Sequence, residues 1–395
     1  MTLILNGTDN SATTPAVTGT DTDTGIYYPA ANQVAIATNG TQAMLVDASQ
    51  NATFAGYANL PNTFGFKNRI INGAMVIDQR NAGASVTQAA GNQYSLDRWN
   101  IYGSAASKFT FQQNAGAVTP PAGYTNYLGI TSSSAYSVSS TDIFMIRQFI
   151  EGYNIADLGW GAAGAATVTL SFWVRSSLTG TFGGVLQNYT DARAYPFTYT
   201  ISAANTWEQK TVTVTGDTSG TWSTTNTGGI TVTFGLGVGS SKSTTANSWA
   251  AGGYYSATGA TSVVGTSGAT FYITGVQLEK GSTATSFDYR SYGTELVLCQ
   301  RYYEYGGVST RSGNRASGTY QTVQAFYKAQ KRTSPTFTIS GGYTSDGWGT
   351  YGVGAHNNPT GSNDTLNWGN VEAIATSAVG ASGVIACNWT SSAEL

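Results

Sequence analysis

Histidine is almost missing from this chain: among 395 residues there is one, His356. That excludes an H-E-x-x-H zinc site and any multi-histidine metal centre. A Ser-His-Asp triad would have to use His356, yet no G-x-S-x-G elbow presents a serine. Cysteine is nearly as scarce. Cys299 and Cys387 fit free buried thiols better than a disulfide framework, although a bridge between the two stays open. Charge is sparse too: 18 basic against 20 acidic residues give a net charge of −2. With no Lys/Arg cluster, no nucleic-acid surface is expected. No apolar run approaches the ~20 residues needed to span a bilayer, so no membrane insertion is expected. Met1-Thr-Leu-Ile-Leu-Asn6 lacks a basic region and is too short in apolar residues for a secretory signal. The expectation is a protein made and folded in a cytoplasm.

What is abundant points one way. The chain is 41% hydrophobic and 12% aromatic with 49 glycines, so it can bury a core and lacks the signature of disorder. Thr, Val, Tyr and Phe favour strands while Gly and Asn supply tight turns, which makes the class all-β. The length suggests two or three units.

Residues 1 to about 20 are polar and Thr-rich. Val34–Thr38 and Thr41–Val46 flank Asn39-Gly40, a hairpin signal because both turn residues tolerate positive φ. A continuous register sets Ile36 opposite Ala43 and Val34 opposite Leu45, leaving both faces partly apolar. A lone hairpin is marginal in water, so residues 1–65 are expected to bury their second face against copies of themselves. From residue 66 onward, alternating segments such as Val168-x-Leu170-x-Phe172-x-Val174 and Ile230-x-Val232-x-Phe234-x-Leu236 predict two packed antiparallel sheets. Eight or so strands over roughly 220 residues suit a jelly-roll sandwich with long loops at 215–229 and 239–268. Gly275 interrupts Phe271–Leu278, where a bulge lets the strand bend. Leu296, Cys299 and Tyr303 share a stripe that predicts a helix over Thr294–Tyr305, ended by Gly306-Gly307. Strands are expected at Thr319–Tyr327, Thr336–Ser340, Gly369–Thr376 and Gly383–Asn388. The domains are thus a stem at 1–65, a jelly roll at 66–290, and a connecting helix with a small distal β domain at 291–395.

Particular motifs carry a family resemblance. "KNRIINGAMVIDQRN", "YSLDRW", "FWVRS" and "VQLEKGSTATSFDYRSYGTELVLCQRYYE", between about residues 66 and 305, resemble a module of tailed-bacteriophage tail-fibre and other virion fibre proteins. That module is similar in shape to carbohydrate-binding jelly rolls. The passage "TDTGIYYPAANQVAIATNGTQAMLVDASQN" resembles the stem modules of such fibres, which usually form intertwined trimers. The resemblance implies a homotrimeric virion protein whose N-terminal segment meets other tail or capsid proteins. It also implies a sugar-binding type of fold directed at a host-surface glycan.

Several apparent sites dissolve on inspection. Gly235–Ser243 has the wrong spacing for a phosphate loop, and no helix follows it. Asp21 and Asp23 lack the later ligands of a calcium loop and suit turn chemistry instead. No metal or cofactor is called for. Asp191 and Glu208, or Asp346 and Asp364, can be imagined as the carboxylate pair of a glycan depolymerase, but no cluster with aromatic subsites accompanies them. Trp99, Phe172, Trp173 and Trp207 follow strand patterns and are expected in the core. Aromatics set among Gly, Asn and Asp in a loop suit recognition, because sugar C–H faces stack on rings and hydroxyls seek polar partners. The expected contact set is therefore Tyr343, Asp346, Trp348, Tyr351, His356, Asn357 and Asp364, with the loops around Tyr124, Tyr127 and Trp249 second. The function expected is glycan-mediated host attachment without catalysis. The alternatives are a head-attached or decorative fibre without a receptor role, and a depolymerase.

Overall fold

A computed structural model describes residues 4–5, 11–55, 67–312, 320–344, 367–374 and 383–395. The chain divides into two compact units, Met1–Gly65 and Phe66–Leu395. In the first, six short antiparallel strands pair in chain order from Ile4–Leu5 to Ala52–Phe54. Asn39 and Gly40 take positive φ in the predicted turn, at 49° and 66°. The register beyond it differs from the expectation. Ala37 pairs with Gln42, but Ile36 then pairs with Met44 and Val34 with Val46, so Ala43 is an extra, bulged residue. A slip of one residue flips side chains to the other face, and here it sets Ala35 opposite Leu45 and Ile36 opposite Met44. Ala35, Ala37 and Tyr27 are buried together, with the Tyr27 hydroxyl donating to Gln42 Oε1 at 2.7 Å. The opposite face keeps Ile26, Ile36 and Phe54 exposed at 39, 42 and 43%.

The second unit is built on eight strands: β1 (Leu128–Ser132), β2 (Ile143–Glu151), β3 (Val168–Ser176), β4 (Gly180–Asn188), β5 (Arg193–Ile201), β6 (Glu208–Val214), β7 (Gly228–Val238) and β8 (Thr270–Lys280). One antiparallel sheet runs β6-β3-β8-β1 and continues into Phe109–Gln113 and Val86–Thr87. The other runs β5-β4-β7-β2 and continues into Asn100–Gly103 and Gly91–Tyr94. This strand order, with the chain crossing repeatedly between sheets, is that of a jelly roll. The alternating residues do what their period predicts. Val168, Leu170, Phe172 and Val174 of β3 share one buried cluster with Ile230, Val232, Phe234 and Leu236 of β7. Across the sandwich, the Phe172 ring meets that of Phe234 edge-on at 4.9 Å.

The bulge expected in β8 is present. Gly275 has φ of 62°, and the pairing with β3 jumps from Ser171–Gln277 to Trp173–Thr274 around it. The opening and closing motifs of the module lie side by side: the Arg69 amide donates to the Leu278 carbonyl and the Val276 amide to the Gly73 carbonyl, each at 3.0 Å. Trp99 and Phe172 are fully buried as expected, but Trp173 and Trp207 are only half-buried. In β3 and β6 the even positions point inward, as Val174, Val212 and Val214 do, so the odd-numbered tryptophans fall on the outer face. Trp207 there donates to the Thr119 carbonyl at 2.9 Å.

The helix is shorter than expected, spanning Tyr292–Gln300. Tyr303–Ser312 is already a strand, paired with Gly383–Ser392, which also pairs with Thr336–Thr344. Tyr320–Phe326 pairs with Trp368–Ile374. β-favouring Tyr303 and Tyr305 join the ladder, and Gly306 makes room for a ring rather than stopping a helix: a Cβ there would lie 2.5 Å from Trp389. The last residues fold back on the opening motif, where Glu394 pairs with Arg80 at 2.7 Å and with Arg98. Cys299 and Cys387 are free, buried thiols, and burial pushes both pKa values up.

Candidate functional site

Of the expected contact residues, Tyr343 lies on the strand Thr336–Thr344, opposite Ala386. Asp346, Trp348, Tyr351, His356, Asn357 and Asp364 lie outside the described residues. In the second set, Tyr127 is fully buried and donates its hydroxyl to the Ala115 carbonyl at 2.6 Å. Trp249 packs in an aromatic group with Trp160, Trp222 and Tyr195 and donates to the Thr215 carbonyl at 2.8 Å. Both are structural. Tyr124 borders a cavity of about 230 Å³ with Phe287 and Tyr289, their rings 4.8 to 5.6 Å apart. The polar groups beside it are spent inside the protein. Arg290 donates to the Ile70 carbonyl at 3.0 Å and pairs with Glu295 at 3.2 Å, while the Tyr289 hydroxyl donates to the Gly123 carbonyl at 2.8 Å. This cavity clasps the opening motif to the helix.

A different pocket has polar groups to spare. It holds about 250 Å³ on the outer face of the β5-β4-β7-β2 sheet, lined by Asn92, Tyr94, Asn100, Arg147, Phe149, Tyr189, Asp191 and Leu395. Strand register builds it. Asn100, Arg147, Thr233 and Val185 stand directly opposite one another across neighbouring strands, and Phe149, Thr231 and Gln187 form the next row. Phe144, Ile146 and Ile150 of β2 enter the core, so Arg147 and Phe149 between them face outward. The β4–β5 turn supplies the far wall. Its Asn188 side chain accepts from the amides of Ala192 and Arg193 at 2.8 and 3.0 Å, and Asp191 takes φ of 56°. Elsewhere on the face, Ser256 packs against Gly183 and Gly235, where side chains would collide with the loop after β7.

Arg147 donates from Nε to Asn100 Oδ1 at 3.0 Å and from Nη2 to Asn92 Oδ1 at 2.7 Å, with its guanidinium 4.5 Å from the centre of the Phe149 ring. Burial pulls its pKa down, and the nearby Asp191 charge opposes that pull. Asp191 accepts from the Tyr255 hydroxyl at 3.0 Å and from Gln187 Nε2. Burial, then that carboxylate, pushes Tyr255 up to about 12. Tyr189 meets Phe149 edge-on at 5.4 Å and is 40% exposed, which leaves much of its ring accessible. Beneath the pocket, Thr231 Oγ1, Thr233 Oγ1 and Gln187 Oε1 are buried without a protein partner among the described residues. The site thus offers amides, one cationic and one acidic side chain and a ring face within one small cavity.

Reading the sequence passed over this set, except for Asp191, considered there only as a hydrolytic acid. The available signal was Arg147 itself, the one charge inside the largely apolar run Ile143–Ile150. The Gly235–Ser243 stretch ends its strand at Val238 and continues into a short 3₁₀ turn, as expected of a strand end and loop. No group of three or more potential metal ligands occurs among the described residues.

No protein-family model matches the chain, and none of the curated proteins matches it. Solved structures do. The enzymatically active domain of tailspike protein 4 of bacteriophage CBA120 is 12% identical over 54% of this chain and 21% of that one, with a TM-score of 0.28. A CBM4 module is 17% identical over 53% of this chain and 98% of its own, at 0.26. The family 11 carbohydrate-binding module of a cellulosomal cellulase of Clostridium thermocellum is 10% identical over 50% and 99%, at 0.24. This chain spans about a fifth of the tailspike structure's length. None of these likenesses carries a ligand or an activity across, and the strand order above makes the fold a jelly roll on its own account.

Proposed function

We propose that the chain is a virion fibre protein of a tailed phage that attaches to the host surface by binding glycan, without catalysis, in the outer-face pocket around Arg147. The observation that carries this is the grouping of Asn92, Asn100, Arg147 and Asp191 beside the accessible Tyr189 ring. A pyranose offers hydroxyls that both donate and accept, and a C–H face that packs on an aromatic ring. Asp191 is the one acidic side chain lining the pocket, whereas glycoside hydrolysis ordinarily takes two, roughly 5–9.5 Å apart. That favours holding over cutting. The virion setting rests on the resemblance of residues 66–305 and of the stem. Self-association is supported by the exposed apolar face of the first unit, and assembly in threes by the resemblance of the stem.

Binding of the full chain to an array of bacterial surface glycans tests the reading, together with Asn92→Ala and Tyr189→Ala. Both substitutions are expected to weaken the bound glycan at least ~10-fold, in line with the loss of one or two good contacts. Unchanged binding in both variants would move the site elsewhere. Absence of binding by the parent protein would favour the fibre that merely spaces or protects the shell.

A further inference from the structure

Resting on the glycan reading of this same pocket, we propose that the preferred ligand carries a carboxylate, as a uronic or other acidic sugar does, and that the Arg147 guanidinium receives it. Six other arginines of the second unit each have a carboxylate partner. Arg69 pairs with Asp157, Arg80 and Arg98 with Glu394, Arg193 with Asp217, Arg290 with Glu295, and Arg301 with Glu151. Arg147, like Arg175 and Arg332, whose bonds go to backbone carbonyls, has no carboxylate within ion-pair distance among the described residues, and of these three it is the one that lines the pocket. Its bonds go instead to two neutral amide oxygens, of Asn92 and Asn100, and Phe149 covers its face. A cation withdrawn from water without a counter-ion is costly unless something supplies the charge. Burial accordingly depresses its pKa.

What remains unsatisfied has the right form. Arg147 Nη1 and the Nδ2 groups of Asn92 and Asn100 have no protein acceptor among the described residues. The pocket thus presents a group of donors on one side. Across from them, Asp191 already accepts from Tyr255 and Gln187, so its charge is partly spoken for while it can still take a sugar hydroxyl. A guanidinium beside amide donors fits a planar carboxylate with directional bonds, a match that neutral sugars lack.

The test uses the full-length protein and acidic oligosaccharides (oligogalacturonate, oligoguluronate and sialyl-lactose), each compared with its own carboxyl-reduced form by titration calorimetry. At least one acidic member is expected to bind ~10-fold or more tightly than its reduced form, and raising the salt should weaken it. Arg147→Gln should erase the difference, while Arg147→Lys keeps the charge without the planar fork and restores it in part. The comparison within the parent protein needs no variant, so a misfolded substitution would not obscure the answer. Equal binding of acidic and reduced forms, or binding of neutral glycans alone, would overturn the carboxylate preference and leave glycan attachment standing. If no glycan of either kind binds, both fall.

Discussion

Asp97 sits in the turn between Gly91–Tyr94 and Asn100–Gly103, fully buried, with its two oxygens accepting from Gln79 N and Nε2 at 2.7 and 2.8 Å. Burial pushes its pKa up to about 6, with Arg80 and the Gln79 bonds pulling the other way. Because the folded value lies above the 3.8 of an ordinary aspartate, the native state holds this proton more tightly than the unfolded chain. The resulting stability is therefore full below about pH 4 and lost as the pH rises through 6, a change of roughly 3 kcal/mol at most. Asp97→Asn should flatten that slope; urea midpoints measured from pH 4 to 7 that fall in parallel for both proteins would refute the assignment. At this scale the sequence was uneven in what it disclosed. Gly275 could be read because a lone glycine in a strand has few reasons to be there, and its Cβ would lie 2.7 Å from Tyr124. Arg147 could not be assigned a role, since Asn92 and Asn100 come from the two arms of one hairpin and Asp191 from the distant β4–β5 turn, and only the register of the sheet joins them to it.

At the scale of elements, strand identity followed from period-two burial, whereas registers and ends did not. The early end of the helix at Gln300 goes with the long-range pairing of Tyr303 with Ser392, which no local pattern encodes, and the Ala43 bulge shifts a register that the turn signal alone leaves open. The strand beginning at Tyr303 also carries Glu304, whose carboxylate meets Lys331 Nζ at 2.7 Å with both side chains wholly buried. The same ammonium donates to the Gln300 carbonyl at 2.5 Å, and the Lys328 amide donates to Glu304 at 3.1 Å. Burial lowers the Lys331 pKa while Glu304 raises it. Removing one member of such a pair strands the other charge, so Glu304→Ala should cost about 3–5 kcal/mol. The double variant Glu304→Leu with Lys331→Met should recover most of it. Hydrogen exchange in Thr336–Ser340 would report this locally. Protection unchanged in the single variant would mean the pair contributes little to holding these strands on the jelly roll.

The molecule as a whole poses a question that its first unit sharpens. Val17, Ile26, Ile36, Met44 and Phe54 stand directly opposite one another on successive strands, a continuous apolar row across the sheet. Val34 and Val46, paired two residues along from Ile36 and Met44, extend it. One face of this sheet is closed by Tyr27, Ala35 and Ala37, while Ile26, Ile36 and Phe54 remain about 40% exposed on the other. So small a sheet gains little from its own interior, and apolar area removed from water is worth about 25 cal/mol per Å². Copies meeting through this row would supply what one chain lacks. With the three-fold assembly that the stem's resemblance implies, the full-length protein is expected to sediment as three chains of 41.2 kDa, and Ile36→Asp, which places a charge in the middle of the row, should return it to one. The pocket around Arg147 belongs to the other compact unit, so its single-site affinity should not change in that variant. Retention on a densely glycan-coated surface should drop by ~10²–10⁴, the gain that linking sites provides without any new contact. If Ile36→Asp leaves the mass unchanged, or if the parent protein already sediments as a single chain, the row has another purpose and attachment proceeds one site at a time.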